Sequence, residues 1–248
     1  MEEDLANLWG NLSLVEEEDD ELEITAPAMA GLAQRGKLCL VGKLIADRLI
    51  SKETVKSKLI KGWRPLGKLS FTVLRENLFL MEFQYESDRI RVLEGRPWIF
   101  EKNLFAVEEF DGLSPPSDIS FDKVAFWVRI FNLPLLCMGL EVGNQIGASI
   151  GEVEMVDTDE ERVGWGEFLR ARIKVDLTKP LLRGRRLKIQ GNLIWVRFQY
   201  EQLPHFCFEC GVIKHGKGGC LKRTMSRVKK RRVGIRTMAK GPLPNSSI

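Results

Sequence analysis

Cys207, Cys210, His215 and Cys220 spell C-x2-C-x4-H-x4-C within a short stretch near the end of the chain. Three thiolates and one imidazole at that spacing complete a tetrahedral shell for zinc and leave no position for a substrate, which marks a structural site for one zinc ion. A loop this short has almost no apolar core of its own. Metal binding must therefore supply most of its folding free energy, roughly 10 to 16 kcal/mol in comparable peptides.

The neighbouring residues suit a tight turn around a metal. Gly211 follows the second cysteine, and Gly216, Gly218 and Gly219 lie in the last span. Glycine admits the positive backbone angles that such a loop needs. The two remaining cysteines, Cys39 and Cys137, each sit alone in an apolar run and read as buried small hydrophobes. Isolated or metal-spaced cysteines fit a reducing compartment, so an intracellular protein is expected, with the nucleus favoured over the cytoplasm.

This arrangement resembles the C-C-H-C zinc knuckle of retroviral nucleocapsid and retrotransposon proteins. In those knuckles an aromatic residue just after the first cysteine stacks on an unpaired base, and Phe208 occupies that position. The family often has Gly before the His and an apolar residue after it, where this chain has Lys214 and Gly216. The resemblance therefore implies base stacking with weaker sequence preference. Phe206 is a candidate for the second wall of the base pocket, with burial against the preceding strand as its alternative.

The chain has 248 residues, an apolar fraction of 44% and a net charge of +4 that conceals a strong polarity. Residues 1–30 contain acids and no Lys or Arg, whereas residues 221–248 contain nine cations and no acid. A basic arm beside a knuckle neutralises phosphates and releases counterions, giving salt-dependent and largely sequence-independent affinity. The candidate nucleic-acid contacts are Phe208, Lys214, Lys217, Lys222, Arg223, Lys229, Lys230, Arg231 and Arg232. The run Lys229–Arg232 also reads as a nuclear import signal, and a solvated tail is its plainest alternative. No apolar run is long enough to span a bilayer, and the acidic N-terminus lacks the features of a signal peptide.

Periodicity predicts an α+β chain. Residues 1–32 read as acidic and disordered, with a short helix around 5–14. Residues 33–110 read as a ferredoxin-like βαββαβ unit of the kind shared by RNA-recognition motifs, including a strand over 77–83 and a helix over 87–95 capped by Ser87 with Ile90 and Leu93 inward. In such motifs aromatics of the third strand stack bases, but here Leu78 and Leu80 hold those places. The sheet is therefore expected to bury these leucines under another part of the chain. A linker follows at 111–122, then a second α+β subregion at 123–203, the knuckle at 204–221 and a basic disordered tail at 222–248. Within the second subregion, Arg170, Arg172 and Lys174 alternate with apolar residues, giving a basic stripe that reads equally well as a solvated face or a nucleic-acid contact.

The order of phrases, F-W-V-R-I-x-x-L-P-L at Phe126–Leu135, L-R-A-R-I-K-V-D-L-x-K-P-L at Leu169–Leu181 and V-R-F-Q-Y-E-Q-L-P-x-F-C ending at Cys207, resembles the plant domain of unknown function 4283 followed by its knuckle. That resemblance, over roughly residues 35–220, implies a link to non-LTR retrotransposons, nucleic-acid binding and no demonstrated catalysis. The expected function is zinc-dependent binding of single-stranded RNA or DNA with low sequence specificity. The alternative is a protein interaction or self-assembly scaffold with a purely structural knuckle. An enzyme is not expected: His205 and His215 are the only histidines, and no G-x-x-x-x-G-K-[ST] loop is present.

Overall fold

The computed structural model describes residues 21–46, 48–215 and 219–220. The short helix expected around 5–14 lies outside them. So do Lys217, Lys222, Arg223, Lys229, Lys230, Arg231 and Arg232. The first described element is helix α1, Ala26–Gly36, which corrects the expectation of disorder as far as residue 32. Pro27 pre-sets its first turn, and Arg35 ties it down with a two-pronged ion pair to Glu82 at 2.7 and 2.6 Å.

The first half continues as β1 (Cys39–Ile45), α2 (Lys52–Trp63), β2 (Leu69–Arg75), β3 (Leu78–Phe83), α3 (Glu86–Glu94), β4 (Trp98–Phe100) and β5 (Asn103–Glu109). One more strand is present than the βαββαβ pattern predicts, because Trp98–Phe100 folds back on β5 as a short edge hairpin. The antiparallel sheet runs β2-β3-β1-β5-β4. Alternation along β1 and β3 sends Leu40, Leu44, Phe79, Met81 and Phe83 to one face, where Val55, Leu59 and Trp63 of α2 and Val92 of α3 cover them. Ser51 caps α2 by accepting from the Thr54 amide.

Helix α3 departs from expectation. Its N-cap is Tyr85 rather than Ser87, Ile90 is exposed, and the inward residues are Asp88 and Val92, flanked by Leu93. The cause is polar. Asp88 accepts from the Gly67 amide at 3.0 Å and from Arg91 at 2.7 Å, so the helix rotates to seat a carboxylate over the loop before β2. Burial pushes that carboxyl up, and these hydrogen bonds outweigh it and hold it below the usual range.

The second half comprises β6 (Lys123–Phe131), α4 (Leu140–Ala148), β7 (Glu152–Asp157), β8 (Phe168–Asp176), β9 (Gly184–Ile189) and β10 (Asn192–Tyr200). Its sheet order is β7-β8-β6-β10-β9, the same connection as the first sheet with β6 standing for β1. Even the irregularities correspond, since the edge strands β2 and β7 both carry a register shift. The difference is at α3. Its counterpart is the loop between Asp176 and Gly184, which has no helix. Gln190 and Gly191, both at positive φ, close the β9–β10 hairpin as the Gln190-Gly191-Asn192 stretch predicts.

The outer face of the first sheet is buried, as Leu78 and Leu80 suggest. Val41, Leu78, Leu104 and Ala106 join Phe121, Phe126, Ile130, Leu169 and Ile173 in one core, with Leu80 packed at its margin. The linker takes part, because Phe121 is inside that core. Cys39 is buried and Cys137 half-buried, and neither is bonded to another cysteine. No described helix is long and apolar enough to cross a membrane.

Two helical glycines separate propensity from packing. A Cβ at Gly143 of α4 would sit 2.6 Å from Val156, whereas one at Gly31 of α1 would meet nothing within 4 Å. Gly31→Ala should stabilise by up to about 1 kcal/mol. Gly143→Ala should destabilise by up to about 2 kcal/mol despite the same propensity gain, as measured by urea unfolding.

Candidate metal centre

β10 carries the chain through Pro204, which is buried, into the turn that begins at Cys207. The Cys207 amide donates to Val212 O at 2.8 Å and the Gly211 amide to Cys207 O at 2.7 Å, with Gly211 at φ +80°. This turn brings Cys210 back beneath Cys207. Val212 is buried and Ile213 packs on the second core, which anchors the turn from below. The ligand atoms of Cys207, Cys210, His215 and Cys220 all lie within 4.8 Å of one another, and Cys210 Sγ is 3.1 Å from His215 Nε2. A zinc tetrahedron with bonds near 2.1 to 2.3 Å has edges of roughly 3.4 to 3.8 Å, so the ion fits with small shifts, the Cys210–His215 pair opening slightly and the longest separations closing.

The donors fit zinc chemically as well. Backbone amides of Cys210 and Glu209 aimed at the Cys207 sulfur hold its thiol below the usual range, while burial pushes Cys210 up. This is a structural zinc site for one ion held by Cys207, Cys210, His215 and Cys220.

The turn does not hang free. Gly211 O accepts from the Leu181 amide at 2.9 Å, and the Lys214 amide donates to Leu177 O at 2.8 Å. These bonds clip the metal turn to the loop that replaces the second helix. Lys214, a candidate nucleic-acid contact, also holds Asp122 of the linker at 2.6 Å and keeps that carboxyl below the usual range. His205 donates its amide to Lys102 O in the β4–β5 turn of the first half. The loop is itself braced. Thr178 and then Lys179 hold Asp176 at about 2, and Tyr200 donates to Leu182 O at 3.0 Å, with burial pushing its phenol to about 12.

Phe208 stands 86% exposed on the turn, and the half-buried Phe206 lies beside it with ring centroids 4.9 Å apart. A cleft of about 1320 Å³ opens beside the metal ligands, lined by Lys43, Arg75, Asn77, Asn103, His205 and Phe206 among others.

A family model described as a domain of unknown function, DUF4283, matches residues 32–115, and a zinc knuckle model matches residues 175–222. The chain carries a DUF4283 domain followed by a zinc knuckle. The DUF4283 match covers the first sheet, and the knuckle match starts at Val175, so it takes in the bracing loop as well as the ligands. Residues between 115 and 175 fall in neither match. Among solved structures, the C. elegans NONO-1 homodimer is similar at 12% identity, with 85% of this chain and 77% of that chain covered and a TM-score of 0.27. No curated protein shows significant similarity.

Sequence reasoning missed Asp122, Leu177 and Leu181 as supports of the knuckle, because two of the three act through backbone atoms. It also left unread the second side of β6. The alternation of Trp127, Arg129 and Phe131 with Phe126, Val128 and Ile130 was available as a signal for a second, solvent-facing side.

Cys210→Ser should abolish stoichiometric zinc while the two sheets stay folded; full metal retention by elemental measurement would contradict the ligand set. Chelation should speed hydrogen exchange at the Leu181 and Lys214 amides and leave β6 and β8 protected. Asp176 supplies a pH test. Its folded pKa is depressed, so its stabilisation is present above about 3.9 and lost as pH falls toward about 2. The stability gap between the native chain and Asp176→Asn should therefore be widest near neutral pH and shrink across that window.

Proposed function

We propose that this protein is a zinc-dependent nucleic-acid-binding protein, preferring single-stranded RNA or DNA with low sequence specificity, and not an enzyme. The observation that carries this reading is Phe208, an almost fully exposed ring on a metal-stiffened turn beside Phe206 and next to a cleft bearing Lys43 and Arg75. An exposed phenyl ring costs solvation free energy and serves no core, whereas an unpaired base stacked on it removes both surfaces from water. The basic residues at 221–248 supply phosphate contacts from the sequence side. The same run supports import into the nucleus. The ordered phrases shared with the plant family support an origin in a retrotransposon. The four protein ligands fill the zinc shell, which fits a role in folding rather than in activating water.

A second reading, a protein-interaction scaffold, draws on Leu135, Leu136 and Trp165. All three are exposed and lie together, with Trp165 Nε1 donating to Leu135 O at 3.1 Å.

Binding of a labelled single strand, measured across salt concentrations before and after chelation, separates the two readings. Phe208→Ala should cost about 1 to 3 kcal/mol with little change in salt dependence. Neutralising Lys229, Lys230, Arg231 and Arg232 to Gln should flatten the slope of log affinity against log salt by up to about 3 units. Absence of any binding by the zinc-loaded chain would leave the scaffold reading.

A further inference from the structure

The two sheets share one connection but not one fate: the outer face of the first is buried, and most of the outer face of the second meets solvent. We infer that this second outer face is a stacking platform for single-stranded nucleic acid, a site separate from the knuckle. The inference deepens the nucleic-acid reading above and rests on it.

Register sets the side chains in rows across the strands. Phe168, Phe131 and Arg197 form one row on β8, β6 and β10, and Arg170, Arg129 and Gln199 form the next. Arg172 and Trp127 form the third, where Glu201 donates its amide to Trp127 O. Rows along a strand are about 6.8 Å apart, and neighbouring strands about 4.8 Å. Each ring carries a guanidinium: Arg170 lies 3.8 Å above Trp127, Arg129 lies 4.7 Å above Phe168, and Arg197 lies 4.7 Å above Phe131. Trp195 and Leu193, both exposed, extend the face opposite Arg186 and Lys188 of β9.

Charge selects the occupant. On the part of this face away from the seam, Arg129, Arg170, Arg186, Lys188 and Arg197 outnumber Asp157 and Glu201, while toward the seam Arg172 and Lys174 are paired with Glu154 and Glu152. Glu201 accepts from Arg129 Nε at 2.6 Å and from Arg170 Nε and Nη2 at 3.0 and 2.9 Å, which holds those guanidiniums in place over their rings. Arg170 is further held by Asp157 at 3.3 Å. Arg197 has no carboxylate partner among the described residues, and Arg129 commits only its Nε, so N–H groups remain for phosphate. An acidic peptide would meet the cations and leave the rings unused. A single strand uses both, since bases stack on aromatic rings and on guanidinium planes while the backbone takes the charge.

The test uses the full-length zinc-loaded chain and a short labelled oligouridylate or oligothymidylate in fluorescence anisotropy. Trp127→Ala removes the central ring but also a half-buried side chain. The paired variant Trp195→Ala with Arg197→Gln changes only exposed groups and serves if the first misfolds. Either should weaken binding roughly five- to a hundredfold with zinc content unchanged. Binding equal to the native chain in the paired variant, while Phe208→Ala weakens it, overturns the platform and leaves the knuckle as the nucleic-acid site. No oligonucleotide binding by the native chain overturns both.

Discussion

Burial of the first sheet's outer face under the second half is the contact on which the rest of this architecture depends. Leu78 and Leu104 are nearly inaccessible there, and each fully buried leucine contributes roughly 1.5 to 3 kcal/mol. The ion pairs at the same junction, Arg96 with Glu108 at 3.4 Å and with Glu154 at 3.9 Å, are long and largely withdrawn from water, so the cost of desolvating both charges offsets much of their attraction. Apolar contact therefore holds the halves together, and the charges set their register. Burial pushes the Glu108 carboxyl up and the Arg172 guanidinium down, which is the cost of placing charges at that seam. Arg172 recovers part of it by donating to Glu94 O at 2.6 Å and pairing with Glu154 at 2.9 Å.

The zinc turn belongs to the same logic. In the first half, α3 covers part of one face of the sheet; in the second, an irregular loop stands in its place and has no ladder of its own to satisfy its backbone. Hydrogen bonds from Leu181 to Gly211 O and from Lys214 to Leu177 O supply part of what a helix would have supplied internally. The metal stiffens one partner of that exchange and the Asp176–Thr178 cluster stiffens the other. Metal binding and closure of the second core are consequently coupled through the loop rather than through side-chain packing alone.

What could be read from residues alone follows the range of the interaction. The ligand set and the strand of clean alternation at 77–83 are local, and the structure contains them where spacing put them. Leu78 and Leu80 also gave correct notice that their face is covered, because exposed leucines would be costly at the centre of a sheet. The rotation of α3 was not legible, since it depends on Gly67 offering an amide to Asp88 across a loop. The extra strand β4 and the matching order of the two sheets were equally hidden. Strand β4 is only three residues long and too short to show a period, while the sheet order is defined by pairing between distant segments, and the replacement of one helix by a loop removes the repeat from the hydrophobic pattern.

Two sheets with one connection need two different surfaces if they are to form a single body. Were both outer faces apolar, each would seek a cover, and the chain would expose an aggregation-prone sheet or recruit a second copy. The basic and aromatic alternation of β6 and β8 avoids that outcome. At the end near Arg172 and Lys174 the charges meet Glu154 and Glu108 and close the seam, while at the end near Phe131 and Phe168 they rest on rings and stay wet. A single strand pair thus provides an ionic border for the interface and, a few residues farther along, an uncovered cationic surface. The sign of that surface opposes the acidic run at the N-terminus and matches the basic run at the C-terminus. Like charge on the C-terminal run and on the outer face disfavours their mutual contact.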